Sequence, residues 1–425
     1  MTDTHQTLSL DAVTGELPQY NPDALPVDMT RQIIETFVQP VQAIEMVALR
    51  AALGRVLASD LLSPIDVPPH DNSAMDGFAV RADDVNADGV RLAVIGTVMA
   101  GETFDQNLQP GQAVRIMTGA PMPTGADTVV PQELAEREGD TVTITQAHQP
   151  GQHRRLRGED LAAGKPAIPA GKCLSPADLG LIASLGIAEV PVRRRIRVAF
   201  FSTGNELCSI GQVPQPGQVY DANRYTIFGL LQRLGVDLID MGVIPDDPGM
   251  LENAVRTASE SADAIISSGG VSVGEADFTR DIMNKLGDVR FWTIAMRPGR
   301  PMAFGRIGNA IYFGLPGNPV AVMVTFYFFA RHALRRLMGA NPLSDAYVRA
   351  IAAESFKKRP GRTEYQRGLL RFNTDGRMTV TATGSQGSGV LRSMSEANCI
   401  VVLHHDQQTV AAGGEVDCIP FDGLV

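Results

Sequence analysis

From Arg197 to Leu337 the chain alternates short apolar runs with longer amphipathic ones, and few folds are open to a chain that does this. The runs Arg197 to Ser202, Val236 to Val243, Ala264 to Ser268, Phe291 to Ala295 and Ile311 to Gly314 have the length and apolar continuity of buried strands. Between them, the stretches near Tyr225 to Leu234, Met250 to Ser259, Phe278 to Leu286 and Val320 to Leu337 carry apolar residues at helical spacing. Strand and helix in repeated succession predict a doubly wound parallel sheet covered on both faces. In such sheets ligands bind in the loops that follow the carboxyl ends of the strands.

Those loops are rich in small and acidic residues. The first strand leads into Ser202-Thr203-Gly204-Asn205-Glu206 and the second into Pro245-Asp246-Asp247. The third leads into Ser268-Gly269-Gly270-Val271-Ser272, continuing to Glu275 and Asp277, and the last into Gly314-Leu315-Pro316-Gly317-Asn318-Pro319. Glycines let backbone N–H groups approach phosphate oxygens, and the helix N-termini that follow add favourable dipole ends. The carboxylates Glu206, Asp246, Asp247, Glu275 and Asp277 repel a phosphate, so a hard divalent cation such as Mg²⁺ bridging the two resolves the conflict. The combination points to a nucleotide-like phosphorylated ligand. Neither GxxxxGK[ST] nor GxGxxG occurs at the first strand, which disfavours a P-loop NTPase and a dinucleotide oxidoreductase.

The rest of the chain has a different texture. A helix is predicted from Asp28 as N-cap, with Ile33, Ile34, Phe37 and Val38 on one face and Pro40 ending it, and a second from about Ile44 to Leu57. From Pro64 to Gly151 short β-rich stretches separated by Gly and Pro follow, and helical spacing returns at Pro176 to Leu185. After Pro342 short strands with polar turns resume. The chain is thus divided into a polar N-terminal extension (1–27), a split helical domain (28–63 and 152–192), an inserted β domain (64–151), an α/β domain (193–341) and a C-terminal β-barrel-like domain (342–425). A length of 425 residues suggests about three domains of ordinary size; the changes of texture make it four, one of them split.

Charge narrows the function. With 47 acidic and 37 basic residues the net charge is -10, which argues against a nucleic-acid or anionic-membrane binder. Any anion must therefore be held by a local site. Only five of the 37 basic residues are lysine. Cys173, Cys208, Cys399 and Cys418 are widely spaced with no zinc or disulfide pattern, which fits a reduced cytoplasm. Met1 to Leu25 lacks both a basic residue and an apolar core, and so reads as an extension and not a targeting segment. His404-His405 reads as a pair of strand-end histidines without a third ligand, and no GxSxG elbow is present.

Four further segments mix charge with Gly: Asp71 to Ala79, Arg115 to Pro121 with Gly125-Ala126-Asp127, Arg155 to Asp160, and Arg297-Pro298-Gly299-Arg300-Pro301. The last sets two guanidinium groups on a rigid turn, suited to a tetrahedral oxyanion. Singly each reads equally as a turn. In order along the chain, however, DNSAMDGFA, RIMTGAP with GADTVVPQE, RGED, STGNEL, SGGVSVGEADFT, RPGRP and GLPGNP resemble the molybdopterin molybdenumtransferase family, comprising the bacterial MoeA proteins and the related gephyrin E domain. The resemblance runs from about Asp28 to the C-terminus.

This resemblance implies an elongated subunit of four domains, a homodimer with its cleft between subunits, and a reaction. Adenylylated molybdopterin and molybdate are converted, with Mg²⁺, to molybdenum cofactor and AMP. It implies catalytic roles for Asp76, Thr118, Asp160 and Asp277, and substrate contacts from Thr203, Gly204, Glu206, Asp246, Gly269, Gly270, Ser272, Pro316 and Pro319. Glu206, Asp246 and Asp277 are the implied metal ligands. The molybdate site falls to Arg297, Arg300, Arg362 and Ser388, with Arg in place of the lysines of a KPGKP-like turn and Thr293 where relatives often carry another Lys. Transient contacts with the adenylyltransferase that supplies the substrate, and with acceptor molybdoenzymes, also follow. Three rivals stand beside this reading: a molybdopterin adenylyltransferase, a non-catalytic scaffold of the same architecture, and a small-molecule kinase.

Overall fold

The computed structural model describes residues 8–271, 277–342, 344–374 and 376–421, with the side chain of Asp277 left out. The alternating region builds a six-stranded sheet in the order Asp237–Ile244, Arg197–Thr203, Ala264–Ser268, Ala310–Leu315, Pro301–Ile307, Gly287–Thr293. Side chains of successive residues part to opposite faces. Val198, Phe200 and Ile266 pack in one core with Ile227 and Leu231 of the Ala222–Leu234 helix, while Ala199, Phe201 and Ile265 pack in another with Leu251 and Val255 of Pro248–Ser261. Asp221 caps the first of these helices, Gly235 ends it in a left-handed conformation, and Asp247 caps the second. Asp247 is therefore a capping residue.

The sheet is mixed and not wholly parallel. Its first four strands run parallel, but Pro301–Ile307 and Gly287–Thr293 are antiparallel to their neighbours. Ile307 pairs with Ala310 across two residues, and so short a connection can only join antiparallel strands. Gly308, at φ +57°, supplies the backbone that this turn needs.

The split helical unit is corrected in the structure. Ile44 to Leu57 is not a helix: Ile44–Ala48 is a strand paired antiparallel with Glu189–Arg193, followed by a short 3-10 turn. A second ribbon joins Leu61–Leu62 to Pro166–Ile168, leaving Pro176–Ser184 as the helix of this unit. Long-range backbone pairing has overridden the apparent helical spacing. The helix Val27–Phe37, for which Pro26 and not Asp28 is the N-cap, packs instead on the α/β unit, where Ile33, Ile34 and Phe37 join its main core. Residues 8–25 are likewise not a loose polar extension, because Leu10, Val13 and Leu25 are buried in that same core.

Two β units complete the chain. The inserted one is a six-stranded sheet between Gly77 and Ile144 with small cores around Phe78 and Val114. In the terminal one, strands Val348–Ala352, Thr363–Phe372, Met378–Ala382, Cys399–Leu403 and Glu415–Pro420 pair in a closed circuit, a five-stranded barrel. To it is added Met296–Arg297, parallel to Thr363–Glu364. The arginine turn is thereby bound to the barrel as well as to the α/β sheet.

Candidate functional site

The carboxyl ends of the parallel strands form one edge. Asn205 and Asp246 are locked reciprocally: Asn205 N donates to Asp246 Oδ2 at 3.1 Å and Asp246 N to Asn205 Oδ1 at 3.2 Å. Gly269 N donates to Leu315 O at 3.1 Å, and Asn223 Nδ2 donates to Ser268 Oγ at 2.8 Å and to Gly317 O at 2.6 Å. The loops of Thr203, Gly204, Glu206, Asp246, Gly269, Gly270 and Pro316 are thus assembled side by side, and Pro319 opens the next helix. Gly269 has φ +95°, and a Cβ there would lie 2.6 Å from Thr203 O, so only glycine fits.

Ser202 Oγ, Thr203 Oγ1 and Asn223 Oδ1 are buried along this edge without a hydrogen-bond partner among the described residues. Buried polar atoms are ordinarily paired, so these fit a site that a polar ligand completes. Ser272 and Glu275 lie outside the described residues, as does the side chain of Asp277, whose backbone opens the Asp277–Leu286 helix. Glu206 and Asp246 stand on neighbouring loops and offer hard carboxylate oxygens of the kind Mg²⁺ takes. Among the described residues alone, no three metal-binding side chains converge.

A second wall lies in the inserted unit. Thr118 donates from both N and Oγ1 to Asp76 Oδ1, each at 2.7 Å. The backbone donor foremost, then the hydroxyl, holds Asp76 below the ordinary carboxylate range although it is exposed. Asp160 is anchored through its backbone, Asp160 N donating to Val67 O at 3.1 Å, and its carboxylate has no hydrogen-bond partner among the described residues.

The frame behind this wall was missed in the sequence. Asp71 accepts from Arg157 N at 2.7 Å and pairs with Arg154, while Asp66 accepts from Ala163 N at 2.7 Å and from Arg157 Nε at 2.6 Å. Ser73 N donates to Ala120 O and Gly119 N to Ser73 O, tying the loops of Asp76 and Thr118 together. The only available sequence signal was the Asp and Arg content of these turns.

Asp66, Asp71 and Asp76 all lie below their usual pKa, chiefly through the backbone N–H groups of Ala163, Arg157 and Thr118. A depressed carboxyl pKa contributes order that is complete above the unfolded value and lost as pH falls through the folded one. The amides of Arg157 and Thr118, corrected for intrinsic rates, therefore lose protection from exchange as pH drops from about 6 to about 3. Unchanged protection would place the restraint elsewhere.

The arginine turn closes a third feature. A cavity of about 320 Å³ is lined by Arg297, Arg300, Pro316, Arg362, Gln386 and Ser388 among others. All four residues named for molybdate meet there, beside Pro316 of the phosphate edge. Arg297 and Arg300 are exposed and make no ion pair among the described residues, whereas Arg362 pairs with Glu364 at 2.9 Å. Arg367, also missed, is buried and donates to Ser393 Oγ, Ser385 O and Gly387 O at 3.0–3.1 Å, which fixes the loop bearing Gln386 and Ser388. Burial first, then repulsion from Arg297, pushes its pKa down to about 10. His404 pairs with Asp417 at 2.8 Å, a strand-end role.

No hydrogen bond or ion pair among the described residues joins 66–160 to 197–338. Asp76 and Thr118 are bonded to each other, Asp160 stands on the loop that Arg157 ties to Asp66 and Asp71, and the phosphate edge adjoins the arginine cavity.

Comparison with known proteins agrees in order and extent. Residues 25–186 match the MoeA N-terminal region (domain I and II), 199–336 a probable molybdopterin binding domain, and 349–421 the MoeA C-terminal region (domain IV). The molybdopterin molybdenumtransferase of Haemophilus influenzae is 42% identical over 404 residues, covering 94% of this chain and 100% of that protein. One from Nostoc sp. is 39% identical over 385 residues, covering 88% of each. The crystal structure of the molybdopterin biosynthesis moeA protein from Pyrococcus horikoshii OT3 is similar at a TM-score of 0.80 and 29% identity, covering 94% of this chain and 100% of that one. With every region matched in sequence order and a relative 42% identical along its whole length, the chain belongs to the molybdopterin molybdenumtransferase family.

Proposed function

We propose that this chain is a transferase of molybdenum cofactor biosynthesis that takes molybdate and adenylylated molybdopterin and yields molybdenum cofactor and AMP. The observation that carries this is the cavity in which Arg297, Arg300, Arg362 and Ser388 face the same space as Pro316 of the phosphate edge. A doubly charged tetrahedral anion needs cationic donors held apart from carboxylates, and Arg297 and Arg300 are free to serve. Thr203, Gly204, Gly269 and Gly270, with Ser272 and Pro319, surround the phosphates. Held by Glu206, Asp246 and Asp277, Mg²⁺ would offset the charge of the phosphoanhydride. Asp76, kept ionised by Thr118, orients substrate from the opposite wall together with Asp160.

Because the two groups of residues are not joined within one chain, we assign the opposite wall of each site to a second copy, in a homodimer. Exposed apolar side chains support this: Ile210, Val213, Val219 and Phe228 on the α/β unit are 59, 84, 55 and 45% exposed. The four free thiols support a cytoplasmic setting. Among the described residues no helix is long and apolar enough to cross a membrane. The test is reconstitution of a cofactor-free molybdoenzyme from adenylylated molybdopterin and molybdate. Activity that appears only with this chain supports the assignment; adenylate formation from molybdopterin and ATP would favour the adenylyltransferase reading.

A further inference from the structure

The residues before the first long helix pack along the strand that leads into the turn where the oxyanion would be held. Gly287–Thr293 is the edge strand of the α/β sheet, and its end runs directly into the arginine turn. Residues 8–25 lie along it. Leu10 N donates to Asp288 Oδ2 at 2.7 Å, Arg290 pairs with Asp11 at 2.7 Å, and Trp292 Nε1 donates to Tyr20 Oη at 3.0 Å. Beyond the strand the contact becomes backbone pairing. Thr293 N donates to Pro22 O at 2.8 Å, Leu25 N to Thr293 O at 3.0 Å, and Ala295 N to Leu25 O at 2.8 Å.

The same few residues are gripped from two other sides. Ile294 N donates to Arg300 O at 2.7 Å, closing the turn, and Thr363 N of the barrel donates to Ala295 O at 2.9 Å. Gly299, at φ +90°, leaves no room for a Cβ, which would lie 2.5 Å from Thr325 Oγ1 of the following helix. This restraint has a purpose in electrostatics. Among the described residues Arg297 and Arg300 make no ion pair, and Arg297 also repels Arg367. Like charges near one another push the turn outward unless its backbone is held.

We propose that residues 8–25 act as a strap that positions the Arg297 and Arg300 turn for the oxyanion, with Tyr20 clamping Trp292 at the point where the strand becomes the turn. This rests on the assignment of molybdate to that cavity. Among the described residues the strap lines neither the arginine cavity nor the phosphate edge, so it governs the affinity for molybdate and not the chemical step.

The full-length chain carrying Leu10→Ala, Asp11→Ala and Tyr20→Phe tests it, with Tyr20→Phe alone as a milder variant should the triple one fail to fold. Two readouts are taken. Hydrogen exchange at the amides of 293–297 is followed without any substrate, and cofactor formation is measured against molybdate concentration. Loss of the clamp should speed exchange at 293–297 and raise half-saturating molybdate by about fivefold, with the maximal rate and the dependence on adenylylated molybdopterin unchanged. Unchanged exchange, or faster exchange with the molybdate dependence of the unaltered chain, overturns the strap. A fall in maximal rate alone overturns it too, by making the segment merely structural. If the unaltered chain shows no response to molybdate, the assignment of the cavity itself fails, a result distinguishable because it appears before any substitution.

Discussion

Replacing Arg297 and Arg300 together with Ala should raise the molybdate needed for half-maximal cofactor formation by roughly a hundredfold. Each guanidinium contributes a charge-assisted hydrogen bond worth about 1.5–3 kcal/mol, and among the described residues the nearby Glu364 is paired with Arg362 and not with either of them. Both side chains are exposed, so folding should be unaffected. The double Lys variant gives the turn the KPGKP-like form that the family resemblance implies. It keeps the charge but replaces a planar fork by a point donor, and should recover most of the affinity. If the alanine variant keeps the molybdate dependence of the unaltered chain, the oxyanion is held elsewhere, and Lys357, which lines two adjoining cavities, becomes the place to look.

Asp76→Ala should lower cofactor formation by about a thousandfold or more at saturating molybdate, the scale of removing a charged group that acts on the transition state. Asp76 is exposed and its carboxylate accepts only from Thr118 among the described residues, so the substitution should loosen the Thr118 loop without unfolding the chain, and unchanged circular dichroism of the variant checks that the loss is one of function. The variant also tests where the opposite wall comes from. If each site joins the wall of one chain to the edge of another, exchanging Asp76→Ala chains with Arg297→Ala, Arg300→Ala chains places one intact site in each mixed dimer. Assayed at a molybdate level that saturates the unaltered chain but not the arginine variant, equal mixing returns about a quarter of full activity, because half of the dimers are mixed and each has one good site of two. If the walls met within one chain, no mixture could recover activity. That outcome would retain the residues and discard the dimer.

How much was legible differs from one part to the next. Ala264–Ser268 was read to the residue, because a central strand buried on both faces is a short apolar run between breakers. Pro301–Ile307 was overlooked, since its run begins at the proline of the arginine turn and is interrupted by Gly305. Gly305 belongs there for a reason invisible in the sequence: a Cβ would run into the carbonyl of Asp288 on the neighbouring strand. Ile44 to Leu57 misled because Val47, Leu53, Val56 and Leu57 recur at helical spacing, yet Ile44–Ala48 finds its partner in Glu189–Arg193, about 145 residues away. Residues 8–25 looked polar because their inward-facing Leu10, Val13, Leu17, Tyr20 and Leu25 are scattered among polar residues with no sustained period.

The chemistry itself was written locally. Gly269 in a left-handed turn, the carboxylates of the strand ends and the two arginines beside proline are properties of short segments, and short segments can be read one at a time. Only the tertiary structure brought Arg362 and Ser388 of the barrel to Arg297 and Arg300. That meeting depends on Met296–Arg297 pairing with Thr363–Glu364 and on Val320 N bonding to Ser388 O, contacts between residues more than 60 positions apart. Tertiary structure likewise left the wall of Asp76 and Thr118 without a hydrogen bond to the phosphate edge among the described residues. Such pairings arise from the sum of sheet closure and core packing, to which each residue contributes too little to leave a local signature.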